Sequence, residues 1–189
     1  MEKPAMIKGT HLMIDLETFG TKPDAPIVSI GAAVFDLETG VYKKFERLID
    51  LDSALKYGKP SGSTLEWWFR QDQKAISKTI LSKSRDQLPQ AILDLQEFIK
   101  ENSPKVVWAK SPAFDIRILE NAFDAVGLTL PVQYWKCADV RTIEKLAPSV
   151  YKQAIAEYEN QSKAIAHTAL ADCYRQVVGI KAVFDHLFA

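Results

Sequence analysis

Apolar positions in this chain form short unbroken runs over the first fifty residues, then recur at spacings of three and four after residue 86. The first pattern suits buried strands and the second suits helices with one buried side. Leu12–Leu16 is the first predicted strand, and a Pro-, Gly- and Asp-containing loop follows over Gly20–Pro26. Ile27–Asp36 and Val41–Ile49 are two further strands joined by a Glu38-Thr39-Gly40 turn, an antiparallel pair. Leu51–Gly62 is polar and reads as turns. Ser63-Thr64-Leu65-Glu66 fits a capping box, with Ser63 as N-cap of a short helix running through Arg70. Leu65, Trp68 and Phe69 share one face of that helix and are expected in the core, while Trp67 falls off the stripe.

Asp72–Leu81 predicts another short helix, and Asp86–Lys100 a longer one with Leu88, Ala91, Ile92, Leu95, Phe98 and Ile99 on its apolar side. Lys105–Ala109 reads as a buried strand. Pro112–Val126 is a helix closed by Gly127. Tyr134–Cys137 reads as a short strand and Val140–Leu146 as a short helix. Tyr151–Ser162 is rich in Ala, Glu, Lys and Gln and gives no determined element, and Thr168–Leu187 is the final helix. An opening antiparallel set followed by alternating helices and strands predicts an α/β fold, one mixed sheet flanked by helices. No linker divides residues 1–189, so a single domain is expected.

Composition narrows this little. The chain is 47% hydrophobic and 25% charged, and Lys+Arg equals Asp+Glu at 24 each. A zero net charge gives no global basic footprint, so any nucleic-acid contact must use a local basic patch or a bound cation. Cys137 and Cys173 form no ligand-spaced motif, which fits reduced thiols in a cytoplasmic setting. Met1–Pro4 opens no apolar leader, and no apolar run reaches membrane length, so no membrane partner is expected.

The chemistry gathers in acidic residues. Asp15 and Glu17 end the first strand two residues apart, so both point to one face while Leu16 points to the other. Two carboxylates on one face repel each other, and a hard divalent cation such as Mg²⁺ or Mn²⁺ relieves that. Asp115 follows the Val106-Val107-Trp108 strand, at the carboxyl end where α/β sheets place ligand sites. Asp172 lies in the first turns of the last helix, preceded by His167. Five residues on an ideal helix separate two side chains by about 140° and roughly 7–8 Å, so those two would not hold one ion from a regular helix. A division fits better, with Asp172 held rigidly as a ligand and His167 free to take a proton from water. An ordinary imidazole titrates near neutrality, as such a base requires. Asp15, Glu17, Asp115 and Asp172 around two divalent cations would make a two-metal phosphoryl-transfer site. Asp139 reads as a helix cap, and Asp24 and Asp36 as turn carboxylates. Arg117, Lys136 and Arg141 are candidate phosphate contacts. Trp67 is a candidate base-stacking side chain.

With these residues in view the chain resembles the DEDDh-type 3′→5′ exonucleases of the RNase H-like superfamily, the proofreading-exonuclease class. Within that class it is similar to the phage- and prophage-encoded exonucleases. Ile14-Asp15-Leu16-Glu17-Thr18, Phe114-Asp115 and His167-Thr168-Ala169-Leu170-Ala171-Asp172 carry the resemblance. Val28–Phe35, Thr64–Trp68 and Ala138–Arg141 support it. The resemblance implies a five-stranded RNase H-like sheet, antiparallel at first and then parallel. It implies that Asp15, Glu17, Asp115 and Asp172 bind two Mg²⁺ or Mn²⁺ ions and that His167 is the general base. Backbone around Leu16 and Thr18 would meet the terminal 3′-hydroxyl, and Phe19 would stack on the last base. Lys110-Ser111-Pro112 replaces the Gly and Asn that relatives often carry before the aromatic–Asp pair, and Lys110 is assigned a phosphate contact instead. Ala138 stands where a basic residue is common.

The expected reaction is hydrolysis of the terminal phosphodiester of single-stranded nucleic acid to nucleoside 5′-monophosphates, with DNA favoured. RNA ends or short oligonucleotides are the alternative substrates. A binding protein that keeps the fold without turnover is the rival from another class. A homodimer is expected from the resemblance.

Overall fold

The computed structural model describes residues 9–162 and 167–188, so Met1–Pro4 and Ala166 of the histidine motif lie outside the described residues. Five strands form one sheet in the order β3-β2-β1-β4-β5. These are β1 (His11–Thr18), β2 (Ile27–Asp36), β3 (Gly40–Leu48), β4 (Val106–Ala109) and β5 (Cys137–Asp139). β1 and β2, and β2 and β3, pair antiparallel, whereas β4 joins β1 and β5 joins β4 in parallel. The predicted mixed sheet is therefore the observed one.

Side-chain alternation divides the core between the two faces of the sheet. Leu12, Ile14 and Leu16 of β1 pack with Ile30 and Val107 against α4 (Leu88–Asn102) and α5 (Asp115–Ala125). Met13, Ala33, Phe35 and Trp108 face the other way, against α6 (Val140–Leu146) and α8 (Ala169–Leu187). Tyr151 of α7 (Pro148–Ser162) closes that second layer, where its ring occupies the space a Cβ on Gly179 would need. Asp15 and Glu17 share the parity of Met13, so they face α8.

Several local expectations are corrected. The polar stretch after Ile49 contains a helix, α1 (Leu51–Tyr57), because the Asp50 carboxylate caps Ser53 N–H at 2.9 Å. The Ser53 hydroxyl then accepts from Leu88 N–H and ties α1 to the start of α4. Helix α2 (Gly62–Phe69) is capped by Ser61 rather than Ser63 and starts earlier than the capping box predicts. Trp68 enters the core as expected, but Phe69, the last residue of the helix, is 80% exposed. Tyr134–Lys136 is a 3₁₀ turn preceding β5 instead of a strand, and Tyr151–Ser162 belongs to α7. Asp72 caps α3 (Gln73–Thr79), and Asp139 caps α6 through Arg141 N–H. Asp36 accepts from Glu38 and Thr39 N–H in the β2–β3 turn, as a turn carboxylate should. No helix among the described residues is long and apolar enough to cross a membrane.

Candidate active site

The acidic residues converge where β1 ends beside the starts of α5 and α8. Asp15 lies opposite Gly31 on β2, and a Cβ at Gly31 would stand 2.3 Å from the Ala169 carbonyl carbon. Glycine there lets the first turn of α8 rest directly on the sheet, which brings Asp172 to the carboxylates of β1. A register shift between Glu17 and Thr18 ends the regular pairing of β1 with β2. Such bulges re-aim side chains at the rims of sheets. Beyond it, Trp68 Nε1 donates to Thr18 O at 2.9 Å, fixing α2 over the end of the strand.

Asp115 arrives from the opposite layer as the first residue of α5, buried, with its Oδ1 accepting from Leu16 N–H at 3.2 Å. Gln176, one turn beyond Asp172, donates through Nε2 to Asp15 Oδ1 at 2.7 Å. Burial, followed by the charges of Asp115, Glu17 and Asp172, holds the Asp15 carboxyl well above the usual range, against the opposing pull of Gln176. Burial and the charges of Asp172 and Asp115 push Glu17 up to about 8. Burial pushes Asp115 up to about 7, opposed by N–H donors at Leu16 and on its own backbone and by Arg141.

His167 precedes α8 in a left-handed conformation, φ 60°, so the ideal-helix separation from Asp172 does not apply to it. Its N–H donates to Asp172 Oδ2 at 3.1 Å, and its carbonyl accepts from the Thr79 hydroxyl at 2.9 Å. The ring meets Trp67 edge to face, with centroids 5.1 Å apart. Side-chain donor atoms of Glu17, His167 and Asp172 consequently lie within 4.8 Å of one another.

Two hollows meet along Leu16 and Phe114. One, of about 470 Å³, carries Asp15, Asp115 and Asp172 together with Lys110, Arg141 and Arg175. The other, of about 420 Å³, lies between Glu17, Thr18 and the Trp67 side of α2. Lys110 reaches the first hollow, but its Nζ is paired with Glu144 at 3.2 Å. Arg117 pairs with Glu120, and Lys136 donates to Pro104 O. Phe19 corrects an expectation. It is 7% exposed and packed in the core, so its ring has no face to offer a base. Trp67, 41% exposed, is the aromatic that borders the second hollow. Thr79, Arg175 and Gln176 are absent from the sequence reading of the site. Gln176 follows Asp172 by four residues, so helical spacing alone contained its signal.

Crowded buried carboxyls that favour their protonated forms are a donor set suited to cations. Oxygen donors with one nearby imidazole fit Mg²⁺ or Mn²⁺. This sheet order, with acidic residues on β1 and at the starts of α5 and α8, defines an RNase H-like exonuclease fold. The chain belongs to the family described as the Rv2179c-like 3′–5′ exoribonuclease domain, whose match covers residues 10–184. Solved structures share the fold. E. coli exonuclease I in complex with a dT13 oligonucleotide is 16% identical, with TM-score 0.66 over 96% of this chain and 44% of that one. The nuclease domain of 3′hExo, described as a DEDDh family member bound to rAMP, is 13% identical, with TM-score 0.61 over 95% and 92%. Exonuclease I from Methylocaldum szegediense is 13% identical, with TM-score 0.61 over 96% and 43%. The chain thus spans less than half the length of the exonuclease I chains it matches. No curated protein matches it.

Proposed function

We propose that residues 1–189 act as one domain, a metal-dependent 3′→5′ exonuclease that removes nucleoside 5′-monophosphates from single-stranded ends. The observation that carries this reading is the convergence of Asp15, Glu17, Asp115 and Asp172, with three of the four carboxyls pushed above their ordinary range. These four would hold two divalent cations, Mg²⁺ or Mn²⁺. When bound, the cations supply electrostatic stabilisation of the charge that builds on the phosphodiester oxygens.

The chain's own residues account for the remainder. His167 takes the proton from the attacking water, its backbone held by Asp172 and Thr79 and its ring by Trp67. Water adds to phosphorus in line with the departing 3′-oxygen, leaving a shortened strand with a 3′-hydroxyl and a free nucleoside 5′-monophosphate. Backbone at Leu16 and Thr18 borders the hollow beside Trp67, which suits the terminal sugar and base. Arg141 and Lys110 border the acidic hollow and suit a phosphate, Lys110 only by leaving Glu144.

For the sugar, the family description supports RNA, whereas the DNA-bound exonuclease I structures share only the fold. The proposal therefore takes RNA 3′ ends as substrate, with the DNA favoured by the sequence reading as the second reading. A homodimer and the phage or prophage subgroup remain part of the proposal on the resemblance alone, and a cytoplasmic setting on two cysteines that form no ligand-spaced motif.

The test follows 5′-labelled single-stranded RNA and DNA of one sequence with Mg²⁺, Mn²⁺ or EDTA, beside Asp15→Asn. A metal-dependent ladder shortening from the 3′ end, strongest on RNA and absent in the variant, is expected. Equal activity in Asp15→Asn would remove the site assignment. No cleavage of either strand would leave the binding-protein alternative.

A further inference from the structure

Both carboxylate oxygens of Asp172 are engaged by the chain itself. Oδ2 accepts from His167 N–H, and Oδ1 accepts from Arg175 Nη1 at 2.7 Å. The other tip of that guanidinium, Nη2, lies 2.5 Å from Glu159 Oε1 on α7. Arg175 thus bridges a proposed metal ligand and a carboxylate of the neighbouring helix. Among the described residues its buried Nε has no hydrogen-bond partner, so the guanidinium is satisfied there only at its tips.

We propose that Arg175 is a resident cation that occupies the place of a divalent ion beside Asp172, and that Glu159 is the carboxylate to which it withdraws when the ion binds. This rests on Asp172 being a metal ligand, as proposed above. A carboxylate crowded by Asp15 and Glu17 holds any available positive charge, and a guanidinium already within hydrogen-bond reach competes with an incoming cation. Release requires somewhere for the guanidinium to go. Glu159 provides it on the wetter side, with 41% of its side chain exposed against 16% for Asp172. The planar fork of Arg175 can turn both tips onto one carboxylate. Tyr151 seated over Gly179 keeps α7 packed on α8, so Glu159 stays within reach.

Calorimetric titration of the full chain with Mn²⁺, without nucleic acid, reads this directly. Glu159→Gln is expected to weaken binding roughly two- to five-fold, as for loss of one partly exposed ion pair. Arg175→Gln is expected to strengthen it by a similar factor. The decisive arm is the double variant, because long-range charge alone gives these same two signs. In an exchange mechanism Glu159→Gln has no further effect once Arg175 is gone. An equal effect of Glu159→Gln in both backgrounds overturns the proposal, and so does a shift of both single variants in one direction. Should Arg175→Gln fail to fold, Glu159→Gln is titrated at low and high salt. Weakening that persists at high salt supports the exchange, and unchanged affinity or weakening lost at high salt overturns it. Wild-type binding weakened by Asp172→Asn, with Glu159→Gln and Arg175→Gln both silent, overturns the exchange and leaves the metal reading standing. No Mn²⁺ binding by the wild type overturns both.

Discussion

Gln176 Nε2 donates to Asp15 Oδ1 at 2.7 Å, joining the last helix to the first strand across 161 residues of sequence. The contact fixes one oxygen of a carboxylate that burial and three neighbouring charges otherwise drive toward its neutral form. Gln176 is buried, and its Oε1 has no hydrogen-bond partner among the described residues. Replacing it by Leu therefore removes a poorly satisfied polar group and leaves the fold largely intact. Orienting partners of metal-binding carboxylates typically matter about 10- to 100-fold. Gln176→Leu is expected to lose that much divalent-ion affinity or turnover while its thermal midpoint stays near that of the wild type. Calorimetry and melting on one preparation check this, and unchanged affinity would reduce Gln176 to packing.

Gly31 makes a different prediction. A methyl group there meets the backbone of Ala169 and Leu170, which cannot move without lifting the first turn of α8 from the sheet. Gly31→Ala is expected to cost about 1–3 kcal/mol in stability, as overpacking does. It should also abolish turnover, because Asp172 and His167 travel with that turn. Gly62→Ala is the control, since a Cβ at Gly62 meets nothing within 4 Å. Urea unfolding and exonuclease assays of the two variants are compared. A stable, active Gly31→Ala protein would show that α8 needs no close seat on β2.

Trp67 and Phe19 separate substrate contact from packing. Trp67 touches His167 and borders a hollow, so Trp67→Ala is expected to raise KM for an oligonucleotide more than it lowers stability. Phe19 lies in the core, so Phe19→Ala is expected to cost about 3–5 kcal/mol instead. The reverse outcome, a stable Phe19→Ala with weak binding, would restore Phe19 as the stacking residue.

Much of the fold was legible because strands such as β2 and β4 are nearly continuous apolar runs. Ile27–Asp36 forms β2 with the bounds its pattern predicts, and Val140–Leu146 forms α6 likewise. The helices α1 and α7 were not legible. Among the described residues α1 buries only Ser53 and Ala54, and α7 buries only Tyr151, with Leu51, Tyr57, Val150 and Ile155 half-buried beside them, so their apolar faces are short and weak. Their stability comes from Asp50 capping and from Tyr151 seated over Gly179, contacts that periodicity does not encode. Tyr134–Cys137 carried the aromatic signature of a strand, yet Tyr134 and Trp135 meet edge to face in the open. In the site, strand parity placed Asp15 and Glu17 on one face. The support of His167 by Thr79 joins residues 88 apart and has no local signature.

The carboxyls set a dependence of stability on pH that opposes ordinary acid unfolding. Asp15, Glu17 and Asp115 all have folded pKa values above their unfolded ones, with Glu17 moving from 4.5 to about 8 and Asp115 from 3.8 to about 7. Between those values the folded protein binds more protons than the unfolded chain, so stability falls as pH rises. The contribution of Glu17 and Asp115 is fully present below about pH 4, declines as pH rises through the folded values of about 8 and about 7, and is lost above them, and that of Asp15 declines in the same direction. Melting in EDTA is therefore expected to give a lower midpoint at pH 8 than at pH 5. Glu17→Gln, which cannot ionise there, should show a smaller drop. Saturating Mg²⁺ should restore the pH 8 midpoint of the wild type more than that of Glu17→Gln, because the cation replaces the protons the crowded carboxyls hold. A midpoint in EDTA that rises from pH 5 to pH 8 would mean that the carboxyls are already ionised without a cation, and the electrostatic argument for a metal site would fall.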